Sequence, residues 1–187
     1  MTLTLRPATA ADMEAIVRVF LACWRGPYAQ VLPSGAIRQM TDERAVQLWS
    51  KAFADRTEPD EILVASRGEG SAACAVVRYG LRGSDGQGII WSLYVDPPAQ
   101  GAGFGALLLR TAEEALAAKG ANSASLCVFA RNAPSIAFYG HHGWKAAHQD
   151  GETRYEFGEP VLTMTNALSS TGRPGAAVSG ANAGPTP

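Results

Sequence analysis

The chain has little with which to bind a metal or close a disulfide framework. Its 187 residues contain three cysteines, Cys23, Cys74 and Cys127, odd in number and widely spaced, and three histidines. Neither a set of paired bridges nor a zinc-ligand spacing can be drawn from these, so reduced thiols in a cytoplasmic protein and no metal are expected. The net charge is only -1. Nothing in that balance implies a nucleic-acid partner or an anionic membrane surface. No apolar run approaches the roughly 18 residues of a membrane span, and the opening Met-Thr-Leu-Thr-Leu-Arg does not read as a signal peptide. No nucleic-acid or membrane partner is expected. The Lys-Ser/Thr ending of a phosphate-binding P-loop is also missing.

What remains is a core-forming composition, 47% hydrophobic, enough for one domain of residues 1–168. From Ser169 the sequence turns to Gly, Ala, Ser, Pro and Thr. Such a tail, 169–187, buries too little apolar surface to offset its ordering entropy and is expected to be disordered.

Hydrophobic period and punctuation divide the rest. Leu3–Arg6 alternates as a strand that Pro7 ends. Thr9 or Asp12 caps a helix to about Trp24, with Met13, Ile16, Val17, Phe20 and Leu21 on one face. Thr41-Asp42-Glu43 opens a second helix, with Val46, Trp49 and Phe53 inward. Glu61–Ser66 and Ala72–Tyr79 read as an antiparallel hairpin. Gly88–Val95 is a central strand with both faces buried, stopped by Pro97 and Pro98, which have no N–H for a ladder. Leu107–Lys119 is helical and ends at Gly120. Ser123–Phe129 is a strand, Asn132 caps a helix over Ala133–Tyr139, and strands begin at Gly143-Trp144 and cover Val161–Thr165.

Val95–Ala106, between the central strand and its helix, is the chemically loaded stretch. A helix N-terminus offers N–H groups with no intrahelical partner and the positive end of a dipole, which suit a phosphate. Gly101, Gly103 and Gly105 carry no Cβ, so a ligand can come close to the backbone. The glycines alone fit a plain turn, or loosely a dinucleotide fingerprint. The latter, however, belongs after the first strand of a βαβ repeat, not in mid-chain.

Gln100-Gly101-Ala102-Gly103-Phe104-Gly105, after a strand ending Val-Asp-Pro, resembles the acetyl-CoA loop of the GNAT superfamily of N-acetyltransferases at every fixed position. About thirty residues later, Asn132-Ala133-Pro134-Ser135-Ile136-Ala137-Phe138-Tyr139, followed by Gly143-Trp144, resembles the family's Asn-to-Tyr helix and its Gly-aromatic pair. The resemblance covers roughly Leu3–Leu168. It implies an α/β (α+β mixed sheet) GNAT-like fold in the order β-α-α-β-β-β-α-β-α-β-β, with central strands splayed to admit acetyl-CoA.

The resemblance also implies roles. The backbone of Gly101–Ala106 would hold the cofactor's pyrophosphate, and the main chain of Leu93, Tyr94 and Val95 would pair with its pantetheine arm and polarise the acetyl carbonyl. Pro97-Pro98 would let the central strand part from its parallel neighbour. Tyr139 would be the general acid for the leaving thiolate, since a phenol stays protonated at neutral pH. The bland alternative is a half-buried core tyrosine. Asn132 would touch the cofactor, cap its helix, or both. Trp24, Arg25 and Tyr28 lie where the family builds its acceptor site, and Arg25 would suit an acceptor with a carboxylate or phosphate.

The sequence departs from the family at the base. Many relatives carry Glu on the central strand, yet Gly88–Val95 has no Asp, Glu or His. Peptide-acetylating relatives can carry Glu five residues before the Asn, where this chain has Cys127, read as a small buried apolar residue. His141, His142 and His148 read as solvent-facing, and Asp96 as a brace for the turn. The leading expectation is acetyl transfer from acetyl-CoA to a small-molecule amine. The alternatives are acetylation of a protein or peptide, and a non-catalytic acyl-CoA sensor. A homodimer edge would lie within Trp144–Leu168.

Overall fold

The computed structural model of the chain describes residues 3–56, 61–83, 86–147 and 153–169. His148 and the tail from residue 170 lie outside the described residues. In chain order the elements are β1 (Thr4–Pro7), α1 (Met13–Arg25), α2 (Ser34–Gln39), α3 (Asp42–Ala54), β2 (Glu61–Ser66), β3 (Ala75–Arg82), β4 (Gln87–Val95), α4 (Phe104–Ala118), β5 (Ser123–Phe129), α5 (Ala133–His141), β6 (Lys145–Ala146), β7 (Tyr155–Glu156) and β8 (Glu159–Ala167). The expected order holds, with two short additions, α2 and β7. Six residues and two residues are too few to show a period.

The strands form one mixed sheet in the order β1-β2-β3-β4-β5-β8-β6, with β7 paired to β8. Every described pairing is antiparallel except β4–β5. Alternation along the strands sends one set of side chains under α1 and α3, where Ile16, Phe20, Trp24, Trp49, Ile62 and Val76 pack. The other set lies under α4, where Leu63, Val77, Ile90, Leu108, Leu116 and Leu126 pack.

Local chemistry explains the ends. Thr9 precedes a 3-10 turn, Ala10–Asp12, and its N–H donates to Asp12 Oδ2 at 2.8 Å. Asp12 also receives both Arg6 nitrogens at 2.6 and 2.7 Å, so both sequence candidates mark the start of α1. Thr41 Oγ1 accepts the Arg44 N–H at 3.2 Å and caps α3. After α4, Gly120 at φ +91° lets Ala121 N–H reach back to Leu116 O at 3.0 Å. Gly88 is required where α4 crosses β4: a Cβ there would sit 2.9 Å from Leu116 Cδ1.

Three expectations need correction. Val46 is 44% exposed; the inward stripe of α3 is Ala45, Trp49 and Ala52, one position round the helix. β4 is not buried on both faces, since Trp91 is 39% exposed. The parting of β4 from β5 does not wait for Pro97-Pro98. Their pairing runs only from Gly88↔Ala124 to Ile90↔Leu126. At that point a bulge leaves Trp91 without a partner in β3, because Arg78 faces Ser92 while Tyr79 faces Ile90. A bulge bends and twists its strand, so β4 turns away while β5 stays in register with β8 as far as Phe129↔Val161. The prolines fall in a 3-10 turn, Pro97–Ala99, that ends the strand.

Candidate active site

The parted strands open a cavity of about 1150 Å³. At one end stands the start of α4. Gly101 and Gly103 adopt φ +75° and +88°, a region open to glycine and strained for other residues. Gly103 is the residue that caps α4, and no side chain caps the helix. The first-turn N–H groups are thus left for a ligand. A Cβ at Gly101 would meet no protein atom within 4 Å, whereas one at Gly105 would sit 3.2 Å from Phe138 Cζ. The loop is an open cradle in front and tightly packed behind. Gln100, Gly101, Gly103, Phe104, Gly105 and Ala106 all line the cavity, and Ala102 does not.

Along one side runs the freed edge of β4. Asp96 N–H bonds Cys74 O at 2.8 Å, continuing the register in which Tyr94 faces Val76. In an antiparallel ladder alternate residues point their N–H and C=O to opposite neighbours. The main-chain groups of Leu93 and Val95 therefore point away from β3, into the gap β5 has left. Consistently, Val95 O accepts from Cys23 Sγ at 3.3 Å and from Gln100 Nε2 at 3.2 Å. Leu93, Tyr94 and Val95 all line the cavity.

The opposite side is α5. Asn132 is buried, and its Oδ1 accepts Ser135 N–H at 3.2 Å, so the capping reading holds while the residue also borders the cavity. Seven positions on, Tyr139 borders it too and is 8% exposed. Burial raises its pKa, so the phenol stays protonated throughout the neutral range. Tyr28 and Tyr94 are raised as well, by burial first; Tyr28 then feels the Tyr94 and Tyr139 hydroxyls, and Tyr94 feels Tyr139. Three protonated phenols thus converge on one space.

Beyond them lies an aromatic wall. Trp24 meets Tyr28 at 5.9 Å between ring centroids and Phe157 at 5.0 Å, and Tyr28 meets Phe129 at 5.7 Å. The Trp24 indole N–H is buried without a hydrogen-bond partner at bonding geometry, although it lies toward the Tyr94 hydroxyl and opposes the burial effect there. Trp24 and Tyr28 are at the cavity as expected. Arg25 is not: the α1 period turns it outward, where it is exposed and ion-paired with Asp42 at the start of α3. Cys127 is another correction. It is exposed and lines the cavity, while Ser125, two residues back on the same face of β5, is buried.

Asp96 braces the turn as expected, by pairing with Arg18 of α1. His141 and His142 lie outside the cavity, His142 against Phe138. No metal-holding group of three or more His, Cys, Asp or Glu occurs among the described residues. Nor is any of their helices long and apolar enough to cross a membrane.

Sequence reasoning missed Cys23, Arg154, Glu156 and Phe157. Cys23 shares the α1 stripe, and burial lifts its thiol pKa to about 12. The other three reach the cavity on the β7–β8 hairpin. Their one local signal was Phe157-Gly158, an X-Gly pair between short polar–apolar segments.

Known proteins share this architecture. The model of the Acetyltransferase (GNAT) family matches residues 15–144. The PaiA N-acetyltransferase of Thermoplasma acidophilum, solved in complex with coenzyme A, superposes with a TM-score of 0.68 at 19% identity, covering 87% of this chain and 98% of that one. The ribosomal-protein-S18-alanine N-acetyltransferase of Escherichia coli gives 0.62 at 20% identity, covering 92% and 98%. A nourseothricin acetyltransferase gives 0.60 at 19% identity, covering 90% and 100%. No protein in the curated sequence comparison matches the chain.

Proposed function

The chain belongs to the Acetyltransferase (GNAT) family, and from that premise we propose that it moves an acetyl group from acetyl-CoA to a small primary amine. The observation that carries this reading is the convergence of three features on one cavity. These are an α4 N-terminus without a side-chain cap, the freed inner edge of β4, and the buried phenol of Tyr139.

The residues present fit acetyl-CoA. The N–H groups of Gly101–Ala106 would hold its pyrophosphate, where an open cradle and a helix dipole meet. The Leu93 and Val95 main chain would take the pantetheine arm as an added strand, and Asn132 would fix the loop opposite. Acetyl-CoA supplies the thioester carbonyl. An N–H of β4 polarises that carbonyl, and Tyr139 gives its proton to the departing sulfur. Reaction happens in a ternary complex, since the thioester arm and the aromatic wall share one continuous space.

The aromatic lining supports a small acceptor, because Trp24, Tyr28 and Phe157 crowd that end of the cavity with rings and, among the described residues, present no acidic groove for a basic peptide. Trp24 and Tyr28 would form the acceptor's apolar walls. Three free cysteines accord with a reducing, cytoplasmic setting. The same reading allows a homodimer along the outer edge of β8, which among the described residues carries the two-residue strands β6 and β7. The experiment is calorimetric titration with acetyl-CoA followed by free-thiol release across a panel of small amines. Binding with amine-dependent release is expected. Binding with no release from any amine would instead favour a sensor.

A further inference from the structure

We propose that Glu156 is the base that takes the proton from the acceptor's ammonium group, presented to the cavity by a strained hairpin turn; this rests on the acetyltransferase reading above. β4, where many relatives carry the base, offers no carboxylate. Of the charged residues lining the cavity, Arg82, Arg131, Arg154 and Glu156, only Glu156 is a carboxylate, with oxygens that can receive a proton.

The turn that carries it is unusual. β7 and β8 pair Tyr155 with Pro160 and Glu156 with Glu159, leaving a two-residue connection, Phe157-Gly158. Both residues have positive φ, +52° and +80°. This is the mirror-image turn of tight hairpins, which favours Asn, Asp or Gly at its first central position. Phe157 is the only non-glycine residue with positive φ among those described. Strain of this kind persists where the surroundings hold it, and often where it serves a site. Here the Phe157 ring stands edge-on to Trp24, 5.0 Å between centroids at 81°. The ring pins the turn onto the cavity wall and brings the adjacent Glu156 with it.

The carboxylate is held in place. Arg154 Nη2 donates to Glu156 Oε1 at 2.8 Å, and Arg154 Nη1 donates to Cys127 Sγ at 3.4 Å on the cavity floor. The charged groups around Glu156 are thus Arg154, two residues before it, and Glu159 across the ladder, with Arg131 3.6 Å from Glu159. The charge of Glu156 is felt at the Tyr94 phenol, adding to the larger effect of burial. Glu156 lines the same cavity as the three phenols, next to Phe157, whose ring meets Trp24.

The proton count closes. An ammonium nitrogen has no lone pair, so one of its three protons passes to Glu156. The freed pair attacks the thioester carbonyl carbon; the C–N bond forms and the C–S bond breaks. Tyr139 gives its proton to the sulfur and recovers one from the new amide nitrogen. One N–H remains in the product, and Glu156 releases its proton to solvent.

The test is Glu156→Gln, which keeps shape and removes basicity. With an aliphatic amine acceptor, kcat/KM is expected to fall on the order of a hundredfold at pH 7, with the acetyl-CoA Kd unchanged within twofold. The deficit should shrink as pH rises toward the amine's own pKa, about 10, where solvent supplies neutral amine. A purely structural role would give a deficit independent of pH. Glu156→Asp should recover part of the rate. Either of two results overturns the assignment: a kcat/KM within twofold of wild type at pH 7, or a loss of equal size at every pH. Wild-type enzyme that turns over no amine would instead count against the acetyltransferase reading itself.

Discussion

The Cys23 thiol donates to the Val95 carbonyl at 3.3 Å, tying α1 to the last residue of β4 at the mouth of the cavity. Burial raises this thiol to about 12, so almost none of it is thiolate at pH 8. Cys127, exposed on the floor, is the accessible one. Iodoacetamide should label Cys127 in the native protein and Cys23 only after denaturation, read by peptide mass spectrometry. Alkylated Cys127 should also slow amine turnover while acetyl-CoA still binds. Native labelling of Cys23 would contradict the geometry.

The glycine loop should be intolerant in two distinct ways. Gly103 sits at φ +88°, where a Cβ costs roughly 1–2 kcal/mol. Gly103→Ala should weaken acetyl-CoA binding about tenfold, since 1.4 kcal/mol is a factor of ten in affinity. Gly105 has an ordinary φ but Phe138 Cζ 3.2 Å from where a Cβ would go. Gly105→Val should push the helix start off its place and weaken binding at least as much. Calorimetry on both variants checks this, and unchanged Kd values would show the loop to be only a turn.

Much of this site could be read from the residues because it is local. The Gln100–Gly105 loop and Asn132–Tyr139 helix are contiguous segments whose ends carry their own caps. β2 and β5 fall on their expected bounds because Pro, Gly and Asn punctuate them. What escaped depends on pairing over distance. The bulge at Trp91 exists only against β3, so the prolines drew the credit for the splay. Glu156 and Phe157 reach the cavity only because β8 pairs with β5 along the whole length of β5. Arg25 and Cys127 were misjudged for the same reason: whether a side chain is covered depends on what the fold packs against it, which neighbours in sequence do not show.

Phe157→Asn separates strain from function. Asn tolerates the left-handed conformation better, a gain of about 1 kcal/mol, which roughly offsets the lost ring contact of about 0.5–1.5 kcal/mol. The melting temperature should stay within a few degrees of wild type. KM for the amine should rise severalfold with acetyl-CoA affinity intact. A large fall in melting temperature with unchanged KM would make Phe157 a structural residue.

Acid stability should report the Arg6–Asp12 pair. The Arg6 guanidinium, bonded to both carboxylate oxygens, and then the Thr9 N–H and hydroxyl hold Asp12 down at about 2 against the opposing effect of burial. A carboxylate whose pKa is depressed by folding stabilises the fold above its unfolded pKa, near 3.9, and loses that contribution as pH falls through the folded value. The bonds of Asp12 to Arg6 and Thr9 together contribute about 2 kcal/mol at neutral pH, and that contribution vanishes between about pH 4 and pH 2. Arg6 is half exposed, so its share is discounted, and urea melts of Arg6→Met and wild type should differ by about 1 kcal/mol at pH 7 and converge near pH 2. A difference that does not change with pH would contradict it.

The central claim is that this cavity transfers an acetyl group with Tyr139 as proton donor, and the most direct measurement is thiol release from acetyl-CoA, with and without amine, in wild type and Tyr139→Phe. The phenol is buried, its pKa is raised, and it borders the cavity opposite the freed strand. Removing one oxygen should lower kcat by a factor on the order of a hundred or more, leaving acetyl-CoA binding and the melting temperature close to wild type. Equal turnover in the two proteins would contradict the assignment and make Tyr139 a tyrosine of the core.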